Sequence, residues 1–596
     1  MLRVILTSLI MFFVTQSVAT GKPTLLIHKK ECIFYNFISI FCLYSFFNVL
    51  FWNYEFNFLI LFSLLFVLSL TMFYVHEFRG TNINFSDISS IGTAKEVAAG
   101  YEYKIMPVAA IVLTVILIEF VLHFFVFKIK LLDNYHKVIN GIDSVNIDIY
   151  RLFWHEVLHI ILFFVSFFIL RDKISDSKFD YSLSAGENEG YIYNFISSIP
   201  IFHKANTLYG DSEIVAKRFL SDIFKKTDID FNIAFTKYAH NYVNVIKREL
   251  REKNVKTEDL PHIIVIMNES FGSIHNSIKT NIPVTPFFNS LSGVTKGNLY
   301  VNTFGGGTAN TEFEFLTYMT VGNYEYPVMP YNSFVKREKH SLARYFNEIG
   351  YNTIAMHPYT ATNYNRNKVY KYFGFNELVF IDGFKNKELV RNYISDKCMY
   401  DAVIEKYEAN KSEGNKMFLF GVTMQNHSGY QKFEGASVLS HLTDYNNRAS
   451  IDSYLSLMKI SDEALKDLIK YFDSAADRVI ILFFGDHNAS FGTDLNKLLY
   501  GYEAKYEFGN EYKTPFFIYD NKNKLKKKID NISANFLSLE LLNAAGLPFD
   551  PLQKVLNDVY SKYSAYNYHM CRERNSGTVE PIGIDDYLKL EREYFK

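Results

Sequence analysis

Five long apolar runs crowd the first 170 residues, near Val4–Thr20, Ile33–Trp52, Phe56–Val75, Ile105–Phe127 and Leu152–Leu170. Each approaches the ~20 residues that a helix needs to cross a hydrocarbon core. One such run suits a buried helix of a large soluble protein, but five in succession predict a transmembrane bundle. The placement of charge agrees. The 596 residues carry 62 Lys plus Arg and 63 Asp plus Glu, yet only 22 of these side chains precede residue 171. They make up about 13% of that stretch, against about 24% of the remaining chain. A formal net charge of −1 offers no overall basic excess for clamping a polyanion, which argues against nucleic-acid binding through phosphate neutralisation.

The expected organisation is a transmembrane domain over 1–170, linker helices over 171–255 around the Gly186–Gly190 turn, an α/β domain over 256–560 and a polar tail over 561–596. Lys128, Lys130 and Lys137 after the fourth run place that loop in the cytoplasm and everything beyond Leu170 outside. Lys22, Lys29 and Lys30 then fall in an outer loop, against the rule. Ser17-Val18-Ala19 also resembles a signal-peptide cleavage site. Five spans, or four after cleavage, both leave the polar part outside. Cys32 and Cys42 lie in the second run, so Cys398 and Cys571 allow at most one disulfide in the polar part, with free thiols equally compatible.

From about residue 260 the pattern changes. His262–Met267, Asn352–Met356, Met417–Thr423 and Val479–Phe484 are short, continuously apolar runs between helical stretches. They read as strands buried on both faces of a largely parallel sheet. Reactive groups in such sheets gather beyond the carboxyl ends of the strands. Here those ends carry Asn268-Glu269-Ser270, then His357 with Arg366 further on, then Gln425-Asn426-His427, then Gly485-Asp486-His487. Glu269, Asp486 and His487 offer two hard oxygens and an imidazole, a set suited to Zn, Mn or Mg. Thr308 follows Gly305-Gly306-Gly307 and opens a helical pattern, Ala309 to Thr320, with Glu312 in its first turns. It is either a helix N-cap or a nucleophile beside the metal set.

The segments IVIMNESF, FGGGTANTEFEFLT, MHPY with NRNKVYKYFGF, MQNHSGY and FFGDH, in this order behind membrane runs, resemble the lipoteichoic acid synthase family. These are membrane-anchored phosphoglycerol transferases of the sulfatase and alkaline-phosphatase superfamily. The resemblance implies an amino-terminal all-α transmembrane bundle followed by an extracytoplasmic α/β sulfatase-like domain, in a multi-pass protein of the cell membrane. It implies one divalent metal, commonly Mn, on Glu269, Thr308, Asp486 and His487, with Thr308 as nucleophile. It also implies that His357, Arg366 and His427 line the head-group pocket. Two pocket positions depart from the family, Tyr359 standing for an Asp and Tyr364 for a Trp.

The expected reaction is attack by Thr308 on a phospholipid donor such as phosphatidylglycerol, expelling diacylglycerol and leaving a phosphothreonine. An envelope glycan, glycolipid or polyglycerol phosphate hydroxyl then takes the group. Arg366 would stabilise phosphoryl charge and His427 would shuttle a proton. A phosphoethanolamine transferase of the same superfamily is the alternative, although those enzymes usually carry further metal-proximal histidines and several disulfides. Two readings of other classes also stand. One is an inactive sulfatase-like binding protein. The other is an intramembrane zinc protease using His155-Glu156-Val157-Leu158-His159. Glu119 and His123, four apart in the fourth run, are intramembrane ionisable residues and candidates by that fact alone.

Overall fold

The computed structural model describes residues 2–21, 30–50, 54–79, 82–83, 85–90, 107, 109–118, 121, 149–176, 191–207, 246–252 and 259–581. The last span excludes 274–277, 322–328, 334, 431–432, 443–447, 492, 502–508 and 568–569. The chain divides into two compact units, Met1–Asp87 with Tyr103–Phe202, and Ile88–Glu102 with His203–Lys596.

The first unit is helical: α1 (Leu2–Thr20), α2 (Lys30–Leu50), α3 (Tyr54–Arg79), α4 (Ile149–Asp176) and α5 (Tyr191–Thr207). Among the described residues two helices, not five, are long and apolar enough to cross a membrane, at Ile33–Leu50 and Phe56–Val75. The apolar parts of three others are shorter, at Val4–Thr20, Ala109–Ile118 and Val157–Leu170. The fourth run extends beyond the described residues, and only Val157–Leu170 of the fifth has described side chains. Lys128, Lys130 and Lys137, Gly186–Gly190, Glu119 and His123 all lie outside the described residues, as do the side chains of His155 and Glu156.

This unit buries polar side chains beside its apolar core and exposes aliphatic ones. Leu64, Val67, Ile161, Val165 and Phe168 face outward, while Gln16, Asn36, Asn48 and Asn57 are buried. Asn36 Nδ2 donates to Gln16 Oε1 at 2.7 Å, and Asn57 Nδ2 donates to Asn48 Oδ1 at 3.0 Å. Asn36 Oδ1 also accepts the backbone N–H groups of Ile192 and Tyr193, capping α5. Amide pairs inside and aliphatic side chains outside suit a lipid solvent, where polar groups must find partners within the protein. The unit marks a membrane protein.

The second unit is built on an eight-stranded sheet of β1 (His262–Asn268), β2 (Thr295–Tyr300), β3 (Asn352–Met356), β4 (Glu377–Val379), β7 (Met417–Val422), β8 (Val479–Gly485), β9 (Lys513–Asp520) and β10 (Lys528–Ser533). β5 (Leu389–Val390) and β6 (Tyr393–Ile394) form a separate hairpin. The strand order is β10-β2-β9-β8-β1-β7-β3-β4, and only β9 runs antiparallel to its neighbours. Every residue of β1, β7 and β8 is buried, which is why these strands read as unbroken apolar runs rather than alternating ones.

Alternate side chains of β1 serve two cores. Ile263, Val265 and Met267 pack with α6 (Thr308–Thr317) and α10 (Ala534–Ala545). Ile264 and Ile266 pack with α8 (Asp396–Ser412) and α9 (Arg448–Asp473). The result is a sheet covered by helices on both faces. After α11 (Pro551–Lys562) the chain does not become the polar tail expected from 561 onward. β11 (Tyr563–Asn567), β12 (Met570–Glu573) and β13 (Val579–Pro581) pair into a small antiparallel sheet that buries Ala565, Tyr566 and Cys571. Cys398 and Cys571 are both buried, and no disulfide joins them.

Candidate active site

Register places the four polar strand ends together. β8, β1, β7 and β3 are consecutive neighbours, with Asn268 paired to Gly485 and Met356 to Gly421. Glu269, Asp486, His427 and His357 therefore leave one edge of the sheet side by side, His427 from just beyond a short loop and the others directly after their strands.

Glu269, Asp486 and His487 are buried, and one ligand atom of each lies within 4.8 Å of the others. His487 Nε2 is 3.2 Å from Asp486 Oδ2 and 3.6 Å from Glu269 Oε1. The His487 Nδ1 atom is 3.1 Å from the Asn488 carbonyl. A carbonyl can only accept, so Nδ1 carries a hydrogen, which in the neutral imidazole leaves Nε2 with a lone pair facing the carboxylates. Asp486 Oδ1 accepts the backbone N–H groups of Ser270 at 2.7 Å and His487 at 2.8 Å. Its Oδ2 is buried with no hydrogen-bond partner among the described residues. Burial, reinforced by the charge of Glu269, raises the Asp486 carboxyl above the usual range. Two carboxylates and an imidazole nitrogen converge here, and the Asp486 Oδ2 atom among them has no hydrogen-bond donor. A divalent cation fits this set and gives that atom a partner.

Thr308 completes the cluster, its Oγ1 lying 3.3 Å from Glu269 Oε2 and 3.5 Å from His487 Nε2. It is the first residue of α6 rather than an N-cap. Gly307 caps the helix at φ 85°, and Gly305 and Gly306 also have positive φ. Three glycines in that region let the chain turn sharply enough to aim the hydroxyl at the carboxylates from a helix amino terminus. Thr311 Oγ1 holds the helix to the Asp486 carbonyl at 2.8 Å.

A second buried network begins one turn along α6. Glu312 accepts Arg366 Nε at 3.0 Å, Arg366 Nη2, and the hydroxyls of Tyr370 at 2.7 Å and Tyr331 at 3.1 Å. Arg366, at the start of α7 (Arg366–Tyr372), donates from Nη1 to Asn363 Oδ1 at 2.7 Å and lies 3.1 Å from His357 Nε2. His357 Nδ1 is 3.0 Å from the Val422 carbonyl, so its hydrogen is on Nδ1 and Nε2 accepts from the guanidinium. Burial and then the Arg366 charge hold His357 well below the usual imidazole range. Most Arg366 donors are thus engaged inside the protein.

His427 is half-buried, and burial together with nearby His487 lowers it to about 4, so it is neutral at physiological pH. Tyr359 and Tyr364 are also half-buried. The Arg366 guanidinium sits 5.0 Å over the Tyr364 ring, and the Tyr359 ring lies 6.2 Å from that of His357. Glu269, Thr308, His357, Tyr364, Arg366, His427, Asp486 and His487, singled out by sequence, fall in or beside these networks. Sequence assigns no role to Ser270, whose Oγ donates to Glu269 Oε1 at 2.8 Å, or to Thr423, whose Oγ1 accepts the Glu269 N–H at 3.0 Å. Adjacency to Glu269 was the available signal for Ser270. Asn363, Arg391 and Tyr393 give none.

Residues 261–547 match the sulfatase family model. A Rhizobium meliloti (strain 1021) protein named for cyclic β-1,2-glucan modification is 29% identical over 352 residues, covering 56% of this chain and 54% of that protein. Lipoteichoic acid synthase 1 of Bacillus subtilis (strain 168) is 26% identical over 243 residues, covering 38% of this chain and 36% of its own. The chain spans about half the length, or less, of such curated relatives. Two solved structures share the fold. The Streptococcus pyogenes phosphoglycerol transferase GacH, in complex with sn-glycerol-1-phosphate, has TM-score 0.50 at 21% identity over 64% of this chain and 92% of that one. The lipooligosaccharide phosphoethanolamine transferase EptA of Neisseria meningitidis, an integral membrane protein, has TM-score 0.51 at 12% identity over 90% of this chain and 94% of that one. With a match to the sulfatase family model at 261–547 behind apolar helices, the chain is similar in sequence to lipoteichoic acid synthases and shares its fold with phosphoglycerol and phosphoethanolamine transferases.

Proposed function

We propose that the chain is a membrane-anchored, metal-dependent transferase that moves phosphoglycerol from phosphatidylglycerol to a hydroxyl of an envelope glycan, glycolipid or polyglycerol phosphate. The membrane domain would be 1–170 and the catalytic domain 256–560, with the catalytic domain outside a multi-pass anchor. The observation that carries this reading is the Thr308 hydroxyl, held at a helix amino terminus within 3.5 Å of both Glu269 and His487. Glu269, Asp486, His487 and Thr308 would hold the metal, with Mn favoured and Zn or Mg compatible. A divalent cation there lowers the pKa of a bound hydroxyl and offsets phosphoryl charge.

In the first step Thr308 Oγ1 attacks phosphorus, the bond from phosphorus to the diacylglycerol oxygen breaks, and that oxygen takes up the threonine proton. The phosphoglycerol then rests on Thr308. Neutral His427 accepts the proton of the entering hydroxyl, whose oxygen bonds phosphorus as the Thr308 oxygen leaves and is reprotonated. The amino terminus of α6 favours negative charge on the phosphoryl oxygens. Arg366 keeps His357 in one tautomer at the pocket wall, with Tyr359 and Tyr364 beside it.

Phosphoethanolamine transfer is the second reading, favoured by the fold shared with EptA over 90% of this chain. Membranes containing the protein, incubated with separately labelled phosphatidylglycerol and phosphatidylethanolamine, distinguish the two. Diacylglycerol is expected from the first and not the second. Release from the second alone would reassign the head group, and release from neither would refute a lipid phosphodiester donor.

A further inference from the structure

We propose that the β5–β6 hairpin fixes the position of His427 through Arg391, making Arg391 a positioning residue for the transfer. This rests on His427 as the proton carrier described above. The two-residue turn of the hairpin is Arg391-Asn392. Arg391 sits at φ 58°, a region that a residue with a Cβ occupies only under constraint. Its guanidinium closes the loop after β7. Nη2 donates to the carbonyls of His427 at 2.6 Å and Gln425 at 3.1 Å, and Nη1 donates to the carbonyl of Gly429 at 3.0 Å. Three alternate carbonyls of one loop converge on one planar fork, which a lysine ammonium has neither the reach nor the shape to reproduce.

Other contacts act on the same loop. Tyr393, on β6, brings its hydroxyl to 3.4 Å from His427 Nδ1 with ring centroids 5.5 Å apart. The Arg391 guanidinium lies 5.6 Å from the Tyr393 ring and 5.7 Å from that of Tyr430, whose hydroxyl donates to the Asn426 carbonyl at 2.8 Å. Two residues after β6, the Asp396 N–H donates to Gln425 Oε1 at 3.0 Å. The Asp396 carboxylate accepts Asn268 Nδ2 at 2.8 Å, immediately before Glu269. The stretch from 391 to 396 therefore ties the His427 loop to the strand end that carries Glu269. A proton carrier must hold its place relative to the nucleophile, and a shift of about 1 Å is enough to cost about 100-fold in rate.

The test uses the full-length chain and diacylglycerol release from labelled phosphatidylglycerol. Arg391→Gly removes the fork while glycine accepts the same backbone conformation. The expected result is a melting temperature near that of the parent, kcat lower by about 100-fold and KM within about threefold. Placed on His427→Ala, it should add no further loss to the residual rate, because the group it positions is gone. If Arg391→Gly does not fold, Arg391→Lys carries the test, with kcat expected to fall about 10-fold. Parent-like kcat in R391G, or in R391K where that variant carries the test, beside a crippled H427A overturns the proposal alone. So does a loss that multiplies fully with H427A. Parent-like turnover in H427A overturns the reading of His427, and the proposal with it.

Discussion

Thr308 carries the proposed chemistry, so its replacement is the sharpest single change. Thr308→Ala is expected to abolish diacylglycerol release, by at least about 1,000-fold, with an unchanged melting temperature, since the side chain contributes little packing at the helix start. Retained turnover would remove the phosphothreonine step. Glu314, further along α6, offers a prediction about pH. It is buried, and burial raises it from 4.5 to about 7 against the pull of hydrogen bonds from Asn302, Thr320 and the Val321 N–H. Its folded-state value lies above its unfolded value, so folding carries no penalty from this group below about pH 4.5. The penalty grows as pH rises toward 7, reaching roughly 3 kcal/mol. Glu314→Gln keeps an acceptor for those donors. It should raise the melting temperature at pH 8 and leave it nearly unchanged at pH 4.5, as scanning calorimetry would show. A gain of equal size at both would mean that ionisation is not the cause.

The strands show how far a segment's own pattern reaches. β1, β3, β7 and β8 were legible because strands buried on both faces must be apolar throughout. β2, with its Lys-Gly-Asn centre, and the antiparallel β9 were not singled out, since their burial depends on neighbours brought from far along the chain. Two glycines separate constraint from tolerance. A Cβ on Gly485, at the end of β8, would lie 1.9 Å from the Phe271 carbonyl oxygen, which is backbone and cannot yield. On Gly421, in β7, it would meet the Met399 methyl at 2.6 Å, the end of a flexible side chain. Gly485→Ala should therefore destabilise by roughly 3 kcal/mol and displace Asp486, whereas Gly421→Ala should cost about 1 kcal/mol or less. Denaturant titration of both variants checks the contrast, and equal losses would contradict it.

For the whole molecule, the two units obey opposite solvent rules. One exposes aliphatic side chains and pairs its amides inside, and the other buries its sheet beneath helices. The donor set of Glu269, Asp486 and His487 predicts that dialysis against EDTA removes turnover and that added Mn restores it. Elemental analysis should find close to one divalent ion per chain, and Asp486→Asn should lose it. A parent protein that is active without any ion would end the metal reading.

The amino-acid order alone determined the membrane-like character of the first 170 residues, the parallel sheet, and the metal, nucleophile and pocket candidates. Those properties are local: apolar run length, and polar residues at the ends of buried strands. Tertiary structure decided what is not local. Strand order put Glu269, Asp486, His427 and His357 at one edge, although they lie up to 217 positions apart. Packing paired Arg366 with Glu312 instead of leaving its donors open, and folded residues 563–581 into a sheet where a tail was expected. A two-residue turn with no motif of its own placed Arg391 across the His427 loop. Such contacts depend on which segments the cores bring together, and a chain read in one dimension contains no record of that distance.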